Sequence, residues 1–145
     1  MKGVYVLVLR LDETRDIRVG KLGKFNFKRG YYAYVGSAQG GGGIKRVTRH
    51  FSVAQLKNTT RKWHIDYLLP HSEVICAVFS PTDEALECVI AKILGENSIA
   101  LQGFGCSDCS CESHLFFTGG NITDVASGAC HGVSGNESII IYPNM

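Results

Sequence analysis

The chain has 145 residues, of which 45% are hydrophobic, 19% are charged and three are proline, the make-up of one globular domain. That composition excludes a disordered tail, a collagen-like fibre and a coiled coil, and no apolar run nears the roughly 18 residues of a membrane span. The net charge of +2 conceals a division: residues 1–62 hold 14 of the 15 Lys and Arg against three acids, and residues 63–145 hold one Lys against ten acids.

Segregated charge of this kind points to a polyanion-binding half. The basic half is also rich in aromatics: Tyr5, Phe25, Phe27, Tyr31, Tyr32, Tyr34 and Phe51. Cations suit phosphates and flat rings suit bases, so nucleic acid is the expected partner. The opposing account is that the two halves neutralise each other within the fold. The opening Met1-Lys2-GVYVLVL imitates a signal peptide, but Arg10 ends the apolar run and no small-residue cleavage site follows. A cytoplasmic location is therefore expected. A disulfide scaffold is not expected there among the six cysteines. Cys76, Cys88 and Cys130 are isolated and read as small core residues.

In chain order, residues 3–9 are apolar on both faces and predict a central strand. Residues 12–30 are basic and turn-rich, an ornamented connection. Residues 31–36 predict a second strand with Tyr32 and Tyr34 on one face. Gly40–Gly43 form a loop. It is no Walker loop, because no GK[ST] follows, but it offers phosphate an approach to free N–H groups at the next helix. That helix spans 44–56, with Ile44, Val47, Phe51 and Ala54 as its buried stripe and Arg46 and His50 together off that stripe. Residues 62–69 predict a short helix ended by Pro70. On it His64 and Asp66 diverge by about 200° and cannot act as a pair.

A third strand is expected at 73–79, then a helix over 82–94 capped by Ser80 with Pro81 and Asp83 in its first turn. Leu86, Val89, Ile90 and Ile93 are its expected core stripe. Glu87 lies on the edge of that stripe, beside Ile90, Ala91 and Leu94. Residues 103–114 predict a loop and 115–118 a short strand. The Gly- and Ser-rich tail, 119–145, closes on a strand at SIIIYP. Cys106, Cys109, Cys111 and His114 give CxxCxCxxH, which has three readings: structural zinc, a packed loop, or an active-site rim.

Gly3-Val4-Tyr5 and Tyr34-Val35-Gly36 resemble the two halves of the GIY-YIG nuclease signature. The order that follows is also similar: a helix with Arg46 and His50, then a later helix with Glu87. The runs VGKLGKF, GYYAYVGSA, RHF, WHIDYLLP and GFGCSDCSCESHLFF resemble a GIY-YIG-like family. That family is found free-standing in archaea and bacteria and fused to endonuclease III-type proteins. The resemblance implies an α+β fold, a three-stranded, mainly antiparallel sheet flanked by helices. The nuclease domain would be 1–118, with 119–145 a C-terminal extension packing on it.

The resemblance also implies a metal-dependent DNA endonuclease, in a DNA-repair setting and with repair-protein partners. Tyr5 would be the general base or would position the water, made more acidic by nearby cations or metal-bound water. Tyr34 would hold the phosphate or the water, Arg46 the non-bridging oxygens, and His50 would orient or exchange a proton. Glu87 would bind one Mg²⁺ or Mn²⁺, and Lys45, Arg49, Lys28 and Arg29 would contact nucleic acid. Ser37 stands where several such nucleases carry Lys, which implies a weaker activation of Tyr5. The other expectations are a catalytically weak or inactive nucleic-acid-binding domain and a zinc-binding interaction module.

Overall fold

The computed structural model describes residues 1–40, 42–96, 98–105, 111–120 and 122–143. The fold is α+β, and its main sheet is antiparallel throughout. Strand β1 (Gly3–Leu11) lies between β4 (Gly30–Ser37) and β5 (Glu73–Pro81). These are the three expected strands, but among the described residues the sheet has six. Strands β7 (Leu115–Thr118) and β6 (Ile99–Ala100) extend it beyond β4, and β8 (Ile139–Ile141) extends it beyond β5. The connection at 12–30 is a second, two-stranded sheet of β2 (Arg15–Arg18) and β3 (Lys24–Phe27).

β1 is buried along almost its whole length because it faces two cores. Tyr5, Leu7, Leu9 and Leu11 enter one core, with Tyr32, Tyr34 and Phe79. Val4, Val6 and Val8 enter the other, with Val35 and Val78. Period-two alternation of apolar side chains on both faces makes a strand covered by a layer on each side. Helices α1 (Lys45–Ala54) and α2 (Ile65–Leu68) cover the first face through Val47, Phe51, Ile65 and Leu68. Helices α3 (Glu87–Gly95) and α4 (Thr123–Ser134) cover the second through Ile90, Leu94, Ala126 and Cys130. Among the described residues no helix is long and apolar enough to cross a membrane.

Several boundaries and faces differ from expectation. Ser80 and Pro81 do not begin a helix: they continue β5, opposite Val4 and Gly3 of β1. Ladder pairing with a central strand outweighs the local capping signal, and the Ser80 hydroxyl instead meets that of Ser134, 2.6 Å away. α3 therefore starts at Glu87 and buries Ile90, Ala91 and Leu94, while Val89 is exposed. The rotation puts Glu87 on the buried side, one turn before Ile90 and Ala91. In α1, His50 joins the buried face beside Val47, Phe51 and Val53 rather than lying off it. Pro70 does not end the helix at 62–69 outright, since a 3₁₀ turn over Leu69–His71 carries on through it.

The start of α1 offers no free N–H groups. Ile44 N donates to Met1 O at 2.9 Å, and the next three amides donate to Gly42, Gly43 and Ile44 carbonyls. In the Gly- and Ser-rich tail, α4 is a helix that the composition conceals. Its inward face is made of small side chains, Ala126 and Cys130 four residues apart, so its backbone lies close against the sheet. Ala126→Leu should overpack this contact and lower stability by about 1–3 kcal/mol in urea unfolding. Val125→Ala, on the exposed side, should stay within about 0.5 kcal/mol of wild type. Equal effects at the two positions would mean that α4 does not dock through Ala126.

Candidate active site

β7 begins at Leu115, opposite Tyr34, so β4 runs past its neighbour. Val35 makes one further bond, from its N–H to His114 O at 2.9 Å. The uncovered end of β4 forms a notch where the layers on the two sheet faces come together. A cavity of ≈180 Å³ opens there, lined by Tyr5, Tyr34, Val35, Gly36, Ser37, Arg46, Trp63, Glu87, Gly105 and His114. Tyr5, Tyr34, Arg46 and Glu87, singled out from the sequence, thus share one cavity. Larger hollows exist, such as one of ≈520 Å³ between the end of α1 and the start of β5, but they gather no comparable set of side chains.

The fifth residue, His50, lies behind Tyr5. Its Nε2 is 2.6 Å from the Tyr5 hydroxyl, and its Nδ1 is buried with no hydrogen-bond partner among the described residues. Both side chains are 1% exposed. The bond permits two tautomers: Tyr5 O–H donating to Nε2, or Nε2–H donating to the Tyr5 oxygen. Gly36 makes the arrangement possible, because a Cβ at that position would overlap the Tyr5 ring and hydroxyl. The glycine of the second tripeptide is thus a space requirement of the tyrosine of the first.

Burial drives the Tyr5 phenol well above its ordinary value of 10.0, and Tyr34 adds to the rise, while Arg46 opposes it. The expectation of a more acidic Tyr5 is therefore reversed: loss of water outweighs the two arginines. Burial also lowers His50 to about 3, against the pull of Asp66 and with the help of Arg49 and Arg46. The imidazole is neutral at physiological pH.

Arg46 is held by two contacts. Its Nη1 donates to Ser37 O at 2.6 Å, and its Cζ lies 4.8 Å from the centre of the Trp63 ring. Arg49, one turn along α1, packs its Cζ 4.5 Å from the same ring and donates both terminal nitrogens to Asp66, each at 2.9 Å. Asp66 is 0% exposed. It also accepts from Lys62 N at 2.6 Å and Trp63 N at 3.0 Å. Burial alone would raise this carboxyl, but the guanidinium and the two amides outweigh it and hold it below its ordinary value. Trp63 and Asp66 are the supporting residues that sequence reasoning missed. The Trp–Arg and Asp–Arg contacts join segments at least 14 residues apart in the chain, so no local periodicity announces them.

On α3, Glu87 Oε2 is buried and has no hydrogen-bond partner among the described residues. His64 does not join the notch directly. Its Nδ1 accepts from Gly105 N at 2.8 Å, so it holds the loop that forms one wall. Of the expected nucleic-acid contacts, Lys45, Lys28 and Arg29 are exposed, whereas Arg49 is committed to Asp66. Two ion pairs, Arg10–Glu73 and Arg49–Asp66, join the basic half to the acidic half among the described residues. Among the described residues the halves thus pair by contact at these two places.

Cys88 is not a packed core thiol. It forms a disulfide with Cys111, and His114 lies against the pair. Spacing could not reveal the bond, since its partners are 23 residues apart and each has a nearer cysteine in the sequence. Cys76 and Cys130 are buried free thiols. Cys106 and Cys109 of the CxxCxCxxH run lie outside the described residues.

The chain belongs to the family described as "Domain of unknown function DUF123", whose model matches residues 4–133 and so extends through most of α4. No curated protein and no solved structure matches the chain.

The neutral burial of His50 makes a pH prediction. The unfolded chain takes up the His proton near pH 6.5 and the folded chain near 3, so stability falls as pH drops between the two. Each pH unit in that window should cost about 1.4 kcal/mol from this group. Urea unfolding of wild type and His50→Phe between about pH 7 and about pH 4.5 should give a slope steeper in wild type by close to one proton. Parallel slopes would show that His50 is not buried neutral. Asp66 adds to the loss at lower pH, as pH falls from the ordinary carboxyl value of 3.8 toward its lowered folded value.

Proposed function

We propose that this domain hydrolyses DNA phosphodiester bonds at the β4 notch with the help of one divalent cation. The observation that carries the reading is the convergence of Tyr5, Tyr34, Arg46 and Glu87 on one cavity, with His50 bonded to the Tyr5 hydroxyl. The resemblance of the two tripeptides to the GIY-YIG signature agrees with it.

Glu87 is the group that would hold Mg²⁺ or Mn²⁺: a buried carboxylate oxygen without a partner suits a hard cation that takes oxygen ligands. A bound ion of that class supplies positive charge to the scissile phosphate and to the departing oxygen. Arg46 gives one N–H to Ser37 and keeps others for the non-bridging oxygens, with Trp63 fixing its plane. Tyr34, on the strand beside Tyr5, orients the attacking water. Tyr5 has too high a pKa to act as a standing phenolate. It serves instead as a relay. The water proton passes to the Tyr5 oxygen as the Tyr5 proton passes to His50 Nε2. The anionic phosphate in the notch offsets the imidazolium that burial otherwise disfavours, and the proton returns through Tyr5 to solvent when the product leaves. The water oxygen bonds to phosphorus, and the phosphorus–oxygen bond to the leaving strand breaks. The leaving oxygen takes its proton from solvent in the notch.

Glu87→Gln should abolish metal-dependent cleavage of branched or nicked DNA while sparing DNA binding. Tyr5→Phe should slow cleavage about 10²–10⁴-fold, the usual worth of general-base help. If both variants cut as wild type does, the catalytic reading is wrong.

The deep burial of Tyr5 favours a second reading, a binding domain with little or no catalysis. Both readings require an electrostatic DNA interaction. Affinity should fall steeply with salt, and Lys45→Glu should weaken binding and flatten the log–log salt slope by about one or more. An affinity indifferent to salt would count against both.

A further inference from the structure

The cluster at the far side of His114 is not used by the proposed cleavage. Cys88 stands in the first turn of α3, and Cys111 and His114 lie in the run entering β7. The three donor atoms are within 4.8 Å of one another. His114 Nε2 is 3.3 Å from Cys111 Sγ and 3.7 Å from Cys88 Sγ. In tetrahedral zinc, with Zn–S about 2.3 Å and Zn–N about 2.0–2.1 Å, a sulfur and a nitrogen are about 3.6 Å apart. The two nitrogen–sulfur separations already bracket that value. The sulfurs are bonded to each other and would have to part to about 3.8 Å.

The imidazole is presented by fixed backbone. His114 N donates to Phe104 O, and its carbonyl accepts from Val35 N, both at 2.9 Å. Ser113 Oγ is bonded to the backbone of Leu115 on the next turn of the chain. A hollow of ≈380 Å³, lined in part by Cys88, Lys92, Cys111 and Phe116, gives solvent a route to the sulfurs.

We propose that Cys88, Cys111 and His114 form a zinc site when the disulfide is reduced, so that disulfide and metal are alternative closures of one clasp between α3 and β7. Thiolate and imidazole donors select a borderline-soft ion such as Zn²⁺ over Mg²⁺ or Ca²⁺. Among the described residues three donors are supplied, and water would take the fourth tetrahedral position. In the forward direction a dithiol reductant gives two electrons and two protons to the Cys88–Cys111 bond and becomes a disulfide itself. Zn²⁺ then displaces the two thiol protons. In reverse, a disulfide oxidant takes two electrons from the thiolates, the sulfur–sulfur bond reforms and Zn²⁺ leaves. This set differs from the CxxCxCxxH run in using Cys88, and it stands whether or not the β4 notch cleaves DNA.

The test is a Co²⁺ titration of the full chain, reduced anaerobically with a phosphine that is then removed, followed by displacement with Zn²⁺. The expected result is one Co²⁺ per chain, with intense tetrahedral d–d bands and thiolate-to-cobalt charge transfer, both lost when Zn²⁺ is added. Protein oxidised with diamide should bind at least about 100-fold more weakly. Cys88→Ser should lower affinity about tenfold or more. Cys88→His keeps a ligand, so it should bind Co²⁺ with about half the charge-transfer intensity, a change that misfolding does not produce. A reduced wild-type chain without a tetrahedral spectrum overturns the proposal. So does a spectrum unchanged in both Cys88 variants, or equal binding by the oxidised chain.

Discussion

The carboxylate of Asp66 has no exposed surface, and a buried charge persists only where donors surround it. Here four donors do so, from Arg49, Lys62 and Trp63. Their convergence ties the first cover helix to the segment before α2 and leaves little freedom to either. Trp63 is thereby held as a flat platform under two guanidinium groups, and one of these, Arg46, reaches the notch. The position of the one arginine in the notch thus depends on an ion pair made by its neighbour one turn away. Removing either partner would leave an uncompensated buried charge, a loss of about 3–5 kcal/mol in comparable cases.

A second constraint is volume. Tyr5 carries a large side chain to the end of the central strand, and the strand beside it must supply a residue with no side chain. Gly36 meets that need, and the phenol then lies against His50 rather than in solvent. The same burial that raises the phenol lowers the imidazole. Two groups that would each be ordinary in water become a neutral pair joined by one short hydrogen bond. Proton movement between them creates no net charge in the core unless a third group at the notch exchanges a proton with Tyr5.

Much of this was legible in the sequence. The three central strands, α1 and β7 follow from apolar periodicity, because each buries a continuous stripe or both faces. Tyr5, Tyr34, Arg46 and Glu87 could be grouped by motif order. What could not be read depends on contacts between distant segments. β6 has two residues and takes its identity from pairing with β7. Ser80, Pro81 and Asp83 form a good local cap, which the β1 ladder overrides, so α3 starts later than its local signal. α4 was missed because glycine and serine dilute its pattern, although Ala126 and Cys130 suit close docking. His50 reads as off the buried stripe because it lies one turn from Arg46, yet it enters the core, where its Nε2 meets the Tyr5 hydroxyl. Cys88 looked like filler because its partner is on another element.

The position of β1 has a consequence for how the molecule comes to be folded. The first strand in the chain is bonded on one edge to residues 30–37 and on the other to residues 73–81. A chain emerging in order from the ribosome can close the first edge early, but the second stays bare until some seventy residues later. Throughout that interval a strand of Val, Leu and Tyr presents open backbone and apolar side chains, the features that invite pairing with other chains. α1 and α2 lie between the two partners in sequence and cover one face of the strand. They can shield that face before β5 arrives, whereas the face toward α3 and α4 has no such early cover. The slow steps of folding are therefore expected to be the capture of β5, the pairing of β7 with β4 and the docking of α4 against β1, all contacts of long range in the chain.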